Sequence, residues 1–240
     1  MDHQANYQIY KAQTANVRSI RSSMRQVHRS INAVLRANNT PTVTAFTKIY
    51  ALLFCGWAEA NLSKILHTPY GFELDEIEQV KAEKDRNGIQ EAWKRCVALG
   101  LRHLSAQRGS FRPNAQQMLE SLINSHVFEP ARLRNKMAHG QWEIALNREC
   151  TAVNVEMTRE ISLLNIVVID SWIRIHELLA GAVETLIESP KKAFVRDWYV
   201  FVVDLEQKMI AAETRTLTDH ITKLKSKDAA SGAHAKRRPN

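Results

Sequence analysis

The apolar residues of this chain recur at intervals of three and four over most of its 240 residues. That spacing places them on one face of an α-helix, whereas a half-buried strand needs strict alternation. The chain has only eight glycines and six prolines, too few for the many tight turns of an all-β protein. With 45% hydrophobic residues, a chain of this length can bury a full core. The sequence therefore predicts an all-α helical bundle.

The helix start and stop signals predict one domain followed by a tail. Residues 1–225 form the predicted domain, which begins with a basic amphipathic helix over residues 1–40 and ends with a helix over residues 190–225. Residues 226–240 contain no large apolar side chain and end in a cluster of Lys and Arg. That composition predicts a disordered basic tail.

One segment departs from the helical period. Trp142, Ile144 and Leu146 alternate with polar or small residues, and the same alternation returns from Val153. Alternation favours strands, so a short β-hairpin is predicted with its turn around residues 147–151.

Charge and cysteine content narrow the setting of the protein. The formal net charge is +8, which favours polyanionic partners such as RNA but says nothing about catalysis. The three cysteines are scattered and odd in number, which indicates neither a disulfide framework nor a zinc site. We find no signal peptide pattern and no apolar run long enough for a membrane span, so the prediction is a cytoplasmic protein without membrane contact.

The most informative motif lies in residues 134–140, where Arg134, Asn135 and His139 fall within one and a half helical turns. Asn135 and His139 are four residues apart and share a helix face. Gly140 follows at once and is expected to end the helix in a left-handed conformation. His139 would then sit at the negative end of the helix dipole, which favours its protonated form. Arg134 would supply a fork-shaped cation for phosphate oxygens.

This motif resembles the signature of the HEPN superfamily, a group of all-helical domains that includes many metal-independent ribonucleases. The resemblance covers roughly residues 45–185, and its specific part is the Arg134 to His139 element. It implies a homodimer in which both copies of the motif line one cleft. It also implies RNA cleavage through attack of the 2′-hydroxyl on the adjacent phosphodiester, without a cofactor or a metal. Asn135 would position one of the reacting groups.

A second part of the resemblance is the apolar run of residues 52–62, which carries the single acidic residue Glu59. HEPN families often place such a run beside the motif helix. Three roles for Glu59 stay open: it orients Arg134 through a bidentate ion pair, it acts near the scissile phosphate, or it only bridges two helices.

Further basic residues are candidates for RNA binding. Arg18, Arg21, Arg25 and Arg29 form a stripe beside the apolar face of the first helix, and Arg132 and Lys136 flank the motif. The stripe is a surface that follows RNA, a surface that meets an acidic partner, or simply a solvated helix face.

Polar residues also interrupt the most apolar helix, which is predicted to begin near Thr158. Asn165, Asp170 and His176 are each either satisfied core residues or site residues that face a cavity, and His176 is a candidate supporting residue. His176 and Glu177 begin like a metalloprotease motif, but no second histidine follows four residues after His176, so that chemistry is excluded.

The sequence thus predicts a metal-independent endoribonuclease for single-stranded RNA, with Arg134, Asn135 and His139 as catalytic residues. The resemblance suggests a toxin or antiviral-defence effector, with an antitoxin or another defence protein as a further partner. The alternative is a non-catalytic RNA-binding or scaffold protein of the same fold.

Overall fold

The computed structural model describes residues 2–104 and 110–235, with side chains placed as far as Lys227. All regular elements in these ranges are helical, which confirms the predicted all-α class. The helices are α1 (His3–Arg36), α2 (Thr40–Leu66), α3 (Leu74–Asn87), α4 (Ile89–Arg102), α5 (Phe111–Ile123), α6 (Glu129–Ala138), α7 (Val155–Leu163), α8 (Ile166–Glu188), α9 (Val195–Thr214) and α10 (Leu217–Ala235). Within them, no helix combines the length and the apolar character needed to cross a bilayer.

Helix α1 packs along α2 through its apolar stripe. The Asp2 side chain accepts a hydrogen bond from the backbone N–H of Ala5 and begins α1. Met24 and Ile31 are fully buried because they face α2 and the start of α8, while the arginines of α1 lie beside them.

The core consists of two clusters of buried side chains. One contains residues of α3, α4 and α5, with Trp93 as its largest fully buried side chain. The other contains residues of α1, α6 and α7 and reaches Leu224 of α10. Because α2 and α8 contribute to both clusters, these two helices connect the whole bundle and carry the polar groups discussed below.

A π-helical turn over Asn124–Phe128 joins α5 to α6. Pro130 follows in the first turn of α6, and its ring would clash with the carbonyl of residue 126 in a regular α-helix. The wider turn avoids that clash, so α5 and α6 are joined by helical backbone.

Two predicted long helices are divided in the structure. The first breaks before Ile166, because Asn165 adopts an extended conformation and accepts hydrogen bonds from the backbone N–H groups of Val167 and Val168. The second ends at Thr214, and α10 then runs to Ala235, so residues 226–235 are helical where the sequence predicts a disordered tail. The rest of that tail, residues 236–240, lies outside the described residues.

The prediction of a β-hairpin after the motif is wrong. Residues 139–154 form a loop in which one antiparallel bridge, Leu146 with Val153, is the sole β pairing of the described chain. The reciprocal ladder bonds are diverted, since the N–H of Ala145 donates to Thr158 Oγ1 and that of Ala152 donates to Asn147 Oδ1. Asn154 then caps α7, which leaves no second strand.

Candidate functional site

The motif helix α6 ends as the sequence predicts. His139 is its C-cap, with its backbone N–H bonded to the carbonyl of Asn135 at 3.2 Å. Gly140 follows with a φ of +80°, a backbone conformation that residues other than glycine rarely adopt. The His139 ring is exposed to solvent at the end of the helix. It is therefore accessible to a substrate.

Asn135 and His139 line one cleft of about 780 Å³ between α6, the following loop and the start of α7. Arg132, Lys136 and Arg148 contribute positive charge to the same cleft. The predicted convergence of the carboxamide and the imidazole on one surface is thus present in the structure. A single-stranded phosphodiester carries the charge that this surface would attract.

The Arg134 side chain lies against α2 rather than in the cleft. It is not among the residues that line the cleft. Its Nη2 donates to Glu59 Oε1 at 2.9 Å, and its Nη1 donates to Asn135 Oδ1 at 3.1 Å. The guanidinium is half-buried and connects α6 to α2. It reaches the cleft only through Asn135.

Glu59 acts as a bridge between three helices. Besides Arg134, its other carboxylate oxygen lies 3.9 Å from Lys84 Nζ of α3. The contact with Arg134 uses one oxygen, so the predicted bidentate geometry is not formed. Nearby, Cys55 of α2 faces Pro130 of α6, and burial raises the pKa of its thiol to about 12. The thiol therefore stays protonated and packs as an apolar side chain.

The two cationic residues that flank the motif, Arg132 and Lys136, form bonds with other parts of the protein. Arg132 pairs with Glu160 at 3.2 Å and with Glu129 at 3.5 Å. Lys136 Nζ donates to the carbonyl of Leu146 at 2.6 Å and thereby fixes the loop that forms one wall of the cleft.

Arg148 is a residue of the cleft that the sequence does not predict. This exposed residue lines the cleft and has no carboxylate partner in the described part of the chain. It reaches the cleft because the Asn147 side chain organises the turn around it, with Oδ1 accepting from the N–H of Thr151 at 2.8 Å. Its distance of nine residues from His139 carries no periodic signal, so only the loop conformation reveals it.

His176 does not belong to this site. It is fully buried on α8, with its ring centroid 5.2 Å from Trp57, 5.4 Å from Trp93 and 5.8 Å from Phe54. Burial, with a smaller contribution from His126, lowers the pKa of His176 to about 3. Neither ring nitrogen has a hydrogen-bond partner. His176 is thus a neutral core residue, and its predicted supporting role near the motif has no geometric basis.

The arginine stripe of α1 also lies apart from the motif cleft. Arg21 pairs with Glu177 of α8 and lies over the Trp57 ring at 5.2 Å. Arg25 and Arg29 are exposed and line a second pocket, whereas Arg18 is exposed outside it.

Comparison with protein-family models, with curated proteins and with solved structures found no match to this chain. Fold and site therefore define an all-α protein with a cationic cleft at the end of a short helix. Within residues 2–104 and 110–227, no cluster of three or more His, Cys, Asp or Glu side chains is arranged to bind a metal ion.

Proposed function

We propose that the protein is a HEPN-type, metal-independent endoribonuclease that binds single-stranded RNA in the motif cleft. The observation that carries this proposal is the shared cleft of Asn135 and His139, with an accessible imidazole surrounded by cationic side chains. An imidazole is suited to proton transfer near neutral pH. The resemblance of residues 134–139 to the HEPN motif supplies the reaction class.

In this proposal, His139 accepts the proton of the 2′-hydroxyl as the 2′-oxygen bonds to phosphorus. The bond from phosphorus to the 5′-oxygen breaks, and an imidazolium protonates that oxygen. The products are a 2′,3′-cyclic phosphate and a 5′-hydroxyl. Two motif clefts joined in a homodimer would supply the base and the acid from different protomers.

The cationic groups have separate tasks in this proposal. Arg148 attracts the phosphate, because in the described chain it is bonded neither to a carboxylate, as Arg132 is, nor to a carbonyl group, as Lys136 is. Arg134 holds Asn135 in place and reaches the phosphate only if RNA draws it away from Glu59. Asn135 then orients one of the reacting oxygens by a hydrogen bond. As a cellular role, we propose that of a toxin or defence effector held in check by a partner protein.

The test compares RNA cleavage by wild type and His139→Ala in the presence of a chelator. General acid and base catalysis is worth about 10²- to 10⁴-fold, so the variant should lose at least about 100-fold in rate. His103→Ala is a matched control, because His103 is also an exposed C-cap, on α4. Equal cleavage by wild type and His139→Ala would refute the assignment, as would products without a cyclic phosphate.

The Arg134–Glu59 ion pair favours a second candidate, a non-catalytic RNA-binding or scaffold protein. A guanidinium that is engaged by a carboxylate contributes little to a developing phosphate charge. Under this alternative, wild type binds single-stranded RNA but leaves it intact. Loss of binding in Arg148→Gln, with the RNA uncut by either protein, would identify it.

A further inference from the structure

A second pocket, of about 590 Å³, lies between α1 and α8. Four arginines line it: Arg21, Arg25 and Arg29 from α1, and Arg174 from α8. Arg21 is paired with Glu177. The other three have no carboxylate partner in the part of the chain that the structure describes. Three guanidinium groups are therefore available at one concave surface.

This arrangement is unfavourable for the protein alone. Arg21, Arg25 and Arg29 are spaced by four residues, and like charges at that spacing repel each other and destabilise the helix. Glu177 relieves the repulsion at Arg21 only. An anion placed between Arg25, Arg29 and Arg174 would relieve the rest. The planar fork of a guanidinium suits phosphate oxygens, which accept two parallel hydrogen bonds from it.

A hydrogen-bonded network makes the floor of the pocket rigid. Asp170 of α8 accepts from the Tyr50 hydroxyl at 3.1 Å and lies 3.4 Å from Nε2 of His28. His28 Nδ1 in turn lies 3.3 Å from the side-chain nitrogen of Asn32. Because both of its ring nitrogens are engaged, His28 forms part of the wall.

The network continues into the C-terminal part of the chain and closes on itself. His220 Nε2 lies 2.8 Å from Asn32 Oδ1, and Arg215 lies 2.8 Å from His220 Nδ1. Arg215 also reaches Asp170 at 3.7 Å. Burial opposes ionisation of Asp170, but the hydrogen bonds from His28 and Tyr50, with Arg215, hold its pKa below its usual value. The charge of Asp170 is thus compensated from inside the protein, and α1, α2, α8 and α10 are held in register around the pocket.

The pocket is separate from the motif cleft. The two share no lining residue. The pocket includes Tyr50 of α2 and residues of α1 and α8, whereas the motif cleft is lined by α6, the following loop and the start of α7. A ligand in one site therefore leaves the other accessible.

We propose that the pocket between α1 and α8 binds a phosphoryl group through Arg25, Arg29 and Arg174. The group belongs either to a small phosphorylated molecule such as a nucleotide or to the backbone of a bound RNA. This site does not depend on the cleavage chemistry proposed for His139.

The experiment measures binding of two probes to the full chain, ATP and a short 2′-O-methyl RNA that cannot undergo 2′-hydroxyl attack. Arg29→Gln and Arg174→Gln each remove one guanidinium and should weaken binding about tenfold. Arg102→Gln is the matched control, since it removes the same charge from an exposed helical position, on α4, outside both the pocket and the motif cleft. His139→Ala should bind ATP like wild type, which separates this site from the cleft.

Each outcome decides the proposal. Weaker ATP binding in the two pocket variants, with Arg102→Gln unchanged, supports the pocket and identifies a small ligand. If only RNA binding weakens, with a salt dependence lowered by about one ion per variant, the pocket holds a backbone phosphate. Unchanged binding of both probes would overturn the proposal. So would an equal loss in Arg102→Gln, because the attraction would then be a general effect of net charge.

Discussion

The buried His176 makes acid stability the sharpest test of the structure. Its ring lies in an aromatic cage with both nitrogens unpartnered, and burial lowers its pKa from 6.5 to about 3. As the pH falls, His176 is therefore protonated at a higher pH in the unfolded chain than in the folded protein. The stability contributed by a neutral His176 is complete above pH 6.5 and is lost as the pH falls from 6.5 towards 3.

The magnitude follows from linkage. Each pH unit inside this window costs about 1.4 kcal/mol, so lowering the pH from 6.5 to about 4.5 costs about 3 kcal/mol through this residue. His176→Leu removes the titrating group and also the two unpartnered nitrogens, each worth about 1–3 kcal/mol when buried without a bond. We expect the variant to match or exceed wild-type stability at about pH 7.5 and to lose less on acidification.

The assay is urea unfolding followed by far-UV circular dichroism at several pH values. His67 stays in both proteins, and its pKa is lowered to about 4, mainly by burial, so part of the acid sensitivity remains in the variant. The difference between the two slopes isolates His176. His3→Leu, at an exposed histidine without a side-chain hydrogen bond in the described chain, controls for the loss of a histidine. Equal slopes for wild type and His176→Leu between pH 6.5 and 4.5 would refute the reasoning.

Two further substitutions test local contacts. Asn165→Ala removes the cap that accepts from Val167 and should lower the free energy of unfolding by about 1 kcal/mol, whereas Asn165→Asp should retain most of it; equal stability of the two in thermal denaturation would contradict this. Tyr50→Phe deletes the buried donor to Asp170 and should cost about 1.5–3 kcal/mol by urea unfolding, while Tyr199→Phe, at an exposed ring, should cost almost nothing. A comparable cost for both tyrosine variants would rule out the network at the pocket floor.

The features of the fold that depend on neighbouring residues could be predicted from the sequence. The apolar period and the glycine at residue 140 predict α1 and the end of α6, because helix formation and capping depend on neighbours within four residues. The breaks were missed for the opposite reason. The sequence predicts Asn165 as either a satisfied core residue or a site residue that faces a cavity, but its extended backbone makes it the N-cap of α8. The hairpin was predicted from alternation, but Thr158 and Asn147 compete for the donors that its ladder needs.

The candidate site was likewise predictable only in its local part. Helix periodicity predicts that Asn135 and His139 share a surface, and they do. It does not predict which long side chains join them. Arg134 turns to Glu59 of α2, seventy-five residues away in the chain, and Arg148 takes a place in the cleft through the conformation of the loop.

The sequence by itself determined the helical class, the end of α6 and the surface shared by Asn135 and His139, because these depend on contacts between near neighbours. Only the tertiary structure decided the partners of the charged and polar residues. Ion pairs such as Arg21 with Glu177, and networks such as the one around Asp170, join residues more than a hundred positions apart. The packing of α1, α2 and α8 brings these groups within bonding distance, and no periodicity along the chain encodes that proximity.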